Sequence, residues 1–306
     1  MLLLIKYTLL YGIVLMLVAL GGMFSEHSGV INIALEGIMV VGGLAGVLVT
    51  ASLPTTMAPA LIVLAAVVAA AVCGMLYSLL LAFASINLKA DQTIGGTALN
   101  MLATAIAMIL AKNFNGSTSA KISYTNKPFL FSIGGLELSI FIPLGIVLLV
   151  VSYIVMYKTR FGLRLRACGE HPQAADSVGI NVYKMRYAGV LISGFLGGIG
   201  GLAYTVAAGS GFNSDVGGYG FLALAVMIFG NWKPFPILAS SVFFALFKVI
   251  AAYSSSLSFL PKFDGVKEIS NFYQMLPYIV TMIVLIFTSK NSQAPKAEGI
   301  PYDKGS

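Results

Sequence analysis

Long stretches without a charged side chain constrain this fold more than any other feature of the sequence. No Asp, Glu, Lys or Arg occurs in the ranges 7–25, 37–88, 92–111, 138–157, 187–214, 216–232 and 269–289. A helix needs about 20 mainly apolar residues to cross a bilayer, and several of these ranges hold one. Because lipid offers the backbone no hydrogen-bond partners, such segments must be helices or strands of a closed barrel. The apolar runs are continuous rather than alternating, which predicts helices.

The composition of the chain excludes a water-soluble domain. Of the 306 residues, 58% are hydrophobic and 9% are charged, with a mean hydropathy of +0.93, whereas soluble domains carry about 25% charged residues. Range 37–88 is long enough for two helices, with Pro54 and Pro59 between them. We therefore predict an all-α, polytopic transmembrane bundle of about 8–10 spans that forms one domain over residues 1–306.

Residues 158–186 interrupt the apolar pattern and are strongly basic. They contain six of the chain's 18 Lys and Arg residues. Cytoplasmic loops of membrane proteins are enriched in Lys and Arg, so we place this loop in the cytoplasm, together with the tail, residues 291–306. The same rule accounts for the formal charge of +7, which in a soluble protein would suggest a nucleic-acid partner. We predict no such partner.

The number of apolar segments before this loop leaves the topology open. Downstream, helices near residues 187–208, 217–232, 235–255 and 274–289 return the tail to the cytoplasm. Upstream, five segments put the N-terminus outside, and Lys6 argues mildly against that arrangement. The alternative is a sixth, broken or re-entrant segment within residues 32–46 or 129–142. We interpret the first apolar run as a retained helix, with a cleaved signal peptide as the alternative.

Glycine-rich segments suggest a repeat and a packing surface. Residues 28–46 and 213–230 each contain a small polar turn followed by a Gly-rich helical stretch, which suggests an internal repeat of the kind found in transporters. Gly194 and Gly198 are four residues apart, a spacing that lets helix backbones approach closely. We expect these glycines to be structural.

Polar side chains within apolar segments are the candidates for a solute path, because such groups are costly in a membrane. The candidates are Asn32, Glu36, Thr93 and Asn100. Asn32 and Glu36 are one helical turn apart, which predicts an amide and a carboxylate on one helix face. A buried interhelical hydrogen bond or a helix cap is the alternative for Glu36, and a cap is the favoured role of Thr93 and Asp91. Lys248 either faces a cavity or reaches toward the interface, and we favour the interface.

The residues needed for catalysis are missing from the sequence. No G-x-x-x-x-G-K-[ST] loop is present, so the chain does not bind ATP by that route. Cys73 and Cys168 suggest neither a disulfide nor a metal site. His27 and His171 have no partners nearby for a metal site or a catalytic triad. We therefore expect no enzymatic activity, no metal and no bound cofactor.

Residues 160–180, RFGLRLRACGEHPQAADSVGI, closely resemble the cytoplasmic coupling segment of ABC importer permeases in the branched-chain amino acid, ribose and nucleoside transport family. The joint pattern R-F-G-x-x-x-R-A-x-G-E-x-P-x-A-A carries the resemblance. In that family a short pair of helices docks here on the ATPase subunit. The resemblance implies the following ATPase-coupling residues: Arg160, Gly162, Arg164, Arg166, Ala167, Gly169, Glu170, Pro172, Ala174, Ala175, Gly179 and Ile180.

Other stretches extend the resemblance over most of the chain. SGVINIALEGIM, QTIGGTALNMLA and GFLALAVMIFGNWKP are similar to further signatures of the family. The ending PKAEGIPYDKG is similar to the tail of one branch, the second permease of nucleoside importers that work with a lipoprotein receptor of the basic membrane protein type. Glu298 departs from that tail pattern, which often has an apolar residue there.

The resemblance implies a permease subunit of a multi-pass importer in a bacterial cytoplasmic membrane. Its expected partners are a second homologous permease, an ABC ATPase that holds ATP and Mg, and an extracellular substrate-binding lipoprotein. The expected solute is a nucleoside, with simple sugars and branched-chain amino acids as alternatives. A different class remains open, an ion-coupled secondary transporter that uses Glu36 as its coupling carboxylate.

Overall fold

The computed structural model describes residues 2–54, 56–116, 119–133, 136–252 and 293–304, with single positions between 275 and 286. This part of the chain forms an all-α bundle with one small β-hairpin. The helices are α1 (Leu2–Glu26), α2 (Leu35–Ser52), α3 (Pro59–Ala82), α4 (Gln92–Asn115), α5 (Phe141–Lys158), α6 (Arg160–Glu170), α7 (Pro172–Ser177), α8 (Val182–Ala208), α9 (Tyr219–Phe229) and α10 (Pro234–Ala252). The antiparallel hairpin pairs β1 (Leu130–Ile133) with β2 (Leu136–Ser139).

Among the described residues, seven helices are long and apolar enough to cross a membrane, namely α1 to α5, α8 and α10. This confirms the all-α polytopic bundle. The further helix predicted near residues 274–289 lies outside the described residues, apart from single positions. The segment predicted as a helix near 217–232 contains α9, whose 11 residues span only about 16 Å and are too short to cross alone.

The described helices resolve the topology upstream of the basic loop. Five spans precede α6, so the start of α1 and the α6–α7 pair lie on opposite faces. Neither candidate for a sixth span adds a crossing, because most of range 32–46 belongs to α2 and range 129–142 holds the hairpin. Lys6 Nζ lies 3.5 Å from Glu137 Oε2 of β2, which places the start of α1 beside this hairpin. The charge rule that predicts a cytoplasmic α6 therefore also predicts that the hairpin and the start of α1 lie on the outer side.

Helix α8 is the centre of the bundle, and its glycines allow α1, α2 and α3 to pack directly on it. A Cβ added to Gly198 would overlap the carbonyl oxygen of Ala70 on α3. A Cβ on Gly42 of α2 would overlap the backbone of Gly198, and one on Gly201 would overlap the carbonyl oxygen of Met39. The predicted small-residue packing surface is therefore confirmed.

We predict that Gly198→Ala destabilises the protein by about 1–3 kcal/mol, because its methyl group has no space against α3. Gly95→Ala is the matched control. Gly95 lies in α4 with open space around its Cα, so the same substitution is neutral or stabilises by up to about 1 kcal/mol. Thermal unfolding of the detergent-solubilised protein measures both, and equal Tm values for the two variants would contradict the packing described here.

Candidate functional site

The basic loop folds into two short helices because each has its own cap. Thr159 Oγ1 accepts a hydrogen bond of 3.2 Å from the N–H of Gly162 at the start of α6. His171 ends α6 and begins α7, where its Nδ1 accepts a hydrogen bond of 3.3 Å from the N–H of Ala174. Pro172 takes the first position of α7, where its missing N–H costs nothing. The pair of helices implied by the family resemblance is therefore present.

The twelve predicted coupling residues divide by their exposure. Exposed residues are Arg160, Arg164, Glu170, Ala174 and Gly179; partly buried residues are Arg166, Ala167 and Ile180; buried residues are Gly162, Gly169, Pro172 and Ala175. The exposed group is available to a partner, whereas the buried group holds the helices against the bundle. A Cβ on Gly169, for example, would overlap the carbonyl oxygen of His27.

Two exposed apolar side chains, on α6 and just after α7, were not predicted from the sequence. Leu163 on α6 is 63% exposed, and Val178 after α7 is 74% exposed. Large apolar side chains of this exposure outside the long apolar helices are available to a partner protein. Two apolar residues in a basic segment do not indicate by themselves whether they are buried or exposed. Their exposure is known only from the fold.

The C-terminal tail connects the α6–α7 pair to neighbouring parts of the bundle. The N–H of Ala297 donates to the carbonyl oxygen of Gly169 at 2.8 Å, and the N–H of Gly299 donates to that of Gly29 at 3.2 Å. Arg186 Nη1 donates to the carbonyl oxygen of Ile300 at 3.0 Å. The tail therefore bridges α6, the start of α8 and the loop between α1 and α2.

Side chains of the tail extend this connection. Tyr302 packs with Cys168, Ala175 and Val182 in a small apolar cluster, and Asp303 lies 2.8 Å from Lys89 Nζ, before α4. Glu298, the residue that departs from the family pattern, hydrogen-bonds the carboxyl group of Glu26 at the end of α1, and burial raises the pKa of Glu298. The tail is thus packed against α6, α7 and the start of α8.

Deeper in the bundle, the start of α9 meets the start of α2 at Glu36. Its Oε1 accepts a hydrogen bond of 2.8 Å from the N–H of Gly218, and its Oε2 accepts one of 2.6 Å from the N–H of Gly220. Gly218, the N-cap of α9, has no side chain to cap the helix. Glu36 supplies that cap from another helix, and its negative charge faces the positive end of the α9 dipole.

The backbone that leads into α2 is irregular and buried, and α4 satisfies its hydrogen bonds. The N–H of Ile31 donates to Gln92 Oε1 at 2.7 Å. Asn100 bonds the segment twice, accepting from the N–H of Gly37 at 2.7 Å and donating to the carbonyl oxygen of Ile33 at 2.9 Å. Irregular backbone is tolerated at membrane depth only with such partners.

The structure brings three of the four predicted pathway residues together. Glu36, Asn100 and Asn32 surround the start of α2, with Asn32 Nδ2 donating to Ser193 Oγ at 2.8 Å. The prediction that Asn32 and Glu36 share a helix face is wrong, because α2 begins at Leu35. Thr93 is exposed in the first turn of α4 and lies apart from this group.

Of the two residues predicted to cap α4, Asp91 is confirmed and Thr93 is wrong, because Thr93 lies inside the first turn and donates its own N–H to Asp91. Asp91 Oδ1 accepts from the N–H groups of Thr93 and Ile94 at 2.8 and 2.9 Å. The cap satisfies two of the backbone donors that every helix start leaves free. Asp91 therefore fixes where α4 begins. It thereby also fixes the positions of Gln92 and Asn100 relative to the start of α2.

Three tyrosines next to the junction come from helices far apart in sequence. The ring of Tyr219 lies 4.7 Å from that of Tyr204 and 5.4 Å from that of Tyr11, between centroids. Lys248 Nζ lies 5.2 Å from the centroid of the Tyr219 ring. The expectation that Lys248 reaches toward the interface is therefore replaced by a cation–π contact within the bundle.

We predict that Glu36→Gln destabilises the protein by about 2 kcal/mol, because the amide keeps only one acceptor and loses the charge that caps α9. Glu137→Gln is the matched control. Glu137 is exposed and its contact with Lys6 is a surface ion pair, worth about 0–1 kcal/mol. Thermal unfolding compares them, and an unchanged Tm for Glu36→Gln would mean that the cap contributes nothing.

Comparison with known proteins agrees with this arrangement. Residues 4–288 match a family described as branched-chain amino acid transport system / permease component. The nucleoside ABC transporter permease protein NupC of Lactococcus lactis and the guanosine ABC transporter permease protein NupQ of Bacillus subtilis are each 42% identical to this chain, over 97% of the chain and 95% of the relative. A putative glucose ABC transporter permease protein of Haloferax volcanii, TsgC13, is 31% identical over 80% of the chain and 75% of the relative.

These similarities confirm the family that residues 160–180 indicated. They also fit the seven described helices that are long enough to cross a membrane and the short α6–α7 pair. The prediction of a transporter subunit rather than an enzyme is confirmed by the family itself. The chain belongs to the branched-chain amino acid permease family of ABC transport systems, and it is a multi-pass membrane permease subunit.

Proposed function

We propose that this chain is a permease subunit of an ATP-driven nucleoside importer in a bacterial cytoplasmic membrane. The observation that carries the proposal is the 42% identity, over 97% of the chain, to two permeases whose names specify nucleoside and guanosine transport. A match that covers the bundle, the loop and the tail argues for a shared solute class as well as a shared fold. Function still depends on the site, so the solute requires a direct test.

The proposed assembly divides the work among subunits. A second, homologous permease completes the solute path, and a substrate-binding lipoprotein delivers the solute on the outer face, where the hairpin lies. An ABC ATPase that holds ATP and Mg docks on α6 and α7. The exposed residues of that pair support this docking site, since Arg160, Arg164 and the apolar Leu163 are all exposed on α6, and Val178 is exposed just after α7.

Coupling follows from the contacts that leave the α6–α7 pair. When the ATPase domains close, the pair moves with them and carries the loop at His27, against which Gly169 packs. The tail makes a second connection, through Ala297 to Gly169 and through Gly299 to Gly29. The 27–31 loop leads directly into the start of α2. Movement of α6 would therefore reach the Glu36 junction through rigid, hydrogen-bonded segments.

The Glu36 junction is the proposed gate on the solute path. Glu36 and Asn100 are occupied by backbone groups in this conformation, so they would hold the gate closed rather than bind solute. Asn32 Oδ1 is buried and has no hydrogen-bond partner in the part of the chain that is described, which leaves it available as an acceptor when the gate opens. Thr93, exposed on α4, would line the cytoplasmic exit.

We predict that proteoliposomes containing the two permeases and the ATPase, with the lipoprotein added outside, take up radiolabelled guanosine only when ATP is enclosed. Excess unlabelled adenosine competes, whereas excess glucose or leucine leaves uptake unchanged. Competition by glucose would favour the monosaccharide alternative, which the similarity to the Haloferax volcanii permease supports. Competition by leucine would favour a branched-chain amino acid. Guanosine uptake without ATP that a proton uncoupler abolishes would contradict the ABC mechanism and favour an ion-coupled transporter.

A further inference from the structure

A cavity of about 560 Å³ opens on the cytoplasmic face between the end of α1, helix α6 and the turn after α9. Its lining includes three cations, Arg166, Lys233 and Lys296, and one carboxylate, Glu170. None of the three cations lies within ion-pair distance of a carboxylate among the described residues. The cavity therefore has excess positive charge in a concave site, which attracts and concentrates anions.

His27 contributes a neutral ring to this cavity. Its Nδ1 lies 2.9 Å from the carbonyl oxygen of Met23, and because a carbonyl only accepts, Nδ1 carries the proton. Burial, together with the positive charge of Arg166, lowers the pKa of His27 to about 4. The ring is neutral at physiological pH, so the three basic side chains account for the cationic character.

Arg166 is held in position, yet one of its donors has no partner. Its guanidinium carbon lies 4.8 Å from the centroid of the Tyr157 ring, and a cation over an aromatic face has a restricted orientation. Its Nε is buried and makes no hydrogen bond within the described residues. Buried donors of this kind normally find an acceptor, and a guanidinium is well suited to a phosphate oxygen.

The other two cations come from separate elements. Lys233 follows a turn in which Asn231 and Trp232 both have positive φ, 49° and 54°, a conformation that non-glycine residues rarely adopt. Lys296 belongs to the tail, which is joined to this turn by a hydrogen bond of 2.8 Å from the N–H of Gln293 to Asn231 Oδ1. Helix α6, the α9 turn and the tail thus each contribute one cation to the same cavity.

We propose that this cavity binds a phosphate group and that its occupancy restrains the coupling helix. A phosphate bound to all three cations would connect α6 to the α9 turn and to the tail, opposing the movement of α6 on which transport depends. Two sources of phosphate reach this face, a soluble nucleoside monophosphate and an anionic lipid headgroup. The first rests on and deepens the proposed function, since phosphoryl transfer from a nucleoside triphosphate to an imported nucleoside yields the monophosphate and a nucleoside diphosphate in the cytoplasm. Binding of the monophosphate to the cavity would then signal that the nucleoside supply is sufficient.

The test compares guanosine 5′-monophosphate with guanosine, two probes that differ by the phosphate alone. The full-length permease, in phosphatidylcholine nanodiscs without the ATPase, is titrated with each probe by calorimetry. We expect the monophosphate to bind and guanosine not to bind at the same concentrations. Arg166→Gln, Lys233→Gln and Lys296→Gln each weaken binding roughly tenfold, as expected for loss of one charge-assisted hydrogen bond.

Lys184→Gln is the matched control, because Lys184 is exposed on the same face at the start of α8 and lies outside the cavity lining. The affinity of the Lys184→Gln variant for guanosine 5′-monophosphate should equal that of the wild type. Equal Tm values for all four variants verify that each is folded. If Arg166→Gln unfolds, the two lysine variants still decide the result.

A lipid headgroup gives a different pattern. In that case phosphatidylglycerol nanodiscs raise the Tm of the wild type, the rise is absent in Lys233→Gln and retained in Lys184→Gln, and the monophosphate does not bind. The proposal is overturned if guanosine binds as well as its monophosphate, or if neither nucleotide nor anionic lipid distinguishes the wild type from the cavity variants. Because no transport is measured, these outcomes are independent of ATP-driven guanosine uptake.

Discussion

A bilayer supplies no hydrogen-bond partners to backbone groups, and the two helices that begin inside this bundle depend on how the protein replaces them. Around α2, Gln92 and Asn100 bond the irregular segment that precedes the helix. Around α9, the carboxylate of Glu36 caps backbone N–H groups that Gly218 and Gly220 present. Both sets of hydrogen bonds involve few residues at fixed distances, so a small displacement of either helix start breaks several of them at once. These shared hydrogen bonds are the reason why we propose the junction as the gate.

The junction and the coupling surface are mechanically continuous. Gly169 packs on the carbonyl of His27, and a few residues later the same loop enters α2. The tail reinforces this connection, because it bonds both Gly169 and Gly29. An ATPase that moves α6 therefore acts on a segment whose far end carries Glu36. Long helices such as α8 serve mainly as the fixed frame, packed through glycines that leave no freedom for adjustment.

Much of this arrangement could be predicted from the sequence. The parts that could not be predicted depend on contacts between residues far apart in the chain. Charge-free ranges predicted the spans, and the family resemblance of residues 160–180 implied the helix pair that the structure contains. A helix cap or an interhelical hydrogen bond was the alternative predicted for Glu36, and it is confirmed. Its partners could not be predicted, because they are about 180 residues away and are backbone groups of glycines. Likewise, nothing in the spacing of Arg166, Lys233 and Lys296 indicates that they share a cavity. Asn32 was predicted to lie on a helix because the sequence around it is apolar, whereas the structure has irregular backbone there and α2 begins at Leu35.

The most direct test of the account is the effect of Val178→Asp on the reconstituted transporter. An acidic residue at the exposed apolar position after α7 should prevent co-purification of the ATPase and abolish ATP-driven guanosine uptake, while membrane insertion and Tm stay unchanged. Ile300→Asp is the matched control, since Ile300 is 57% exposed on the same face and lies outside the helix pair. It should retain both properties. Full uptake and a stable complex with Val178→Asp would contradict the claim that this surface receives the energy for transport.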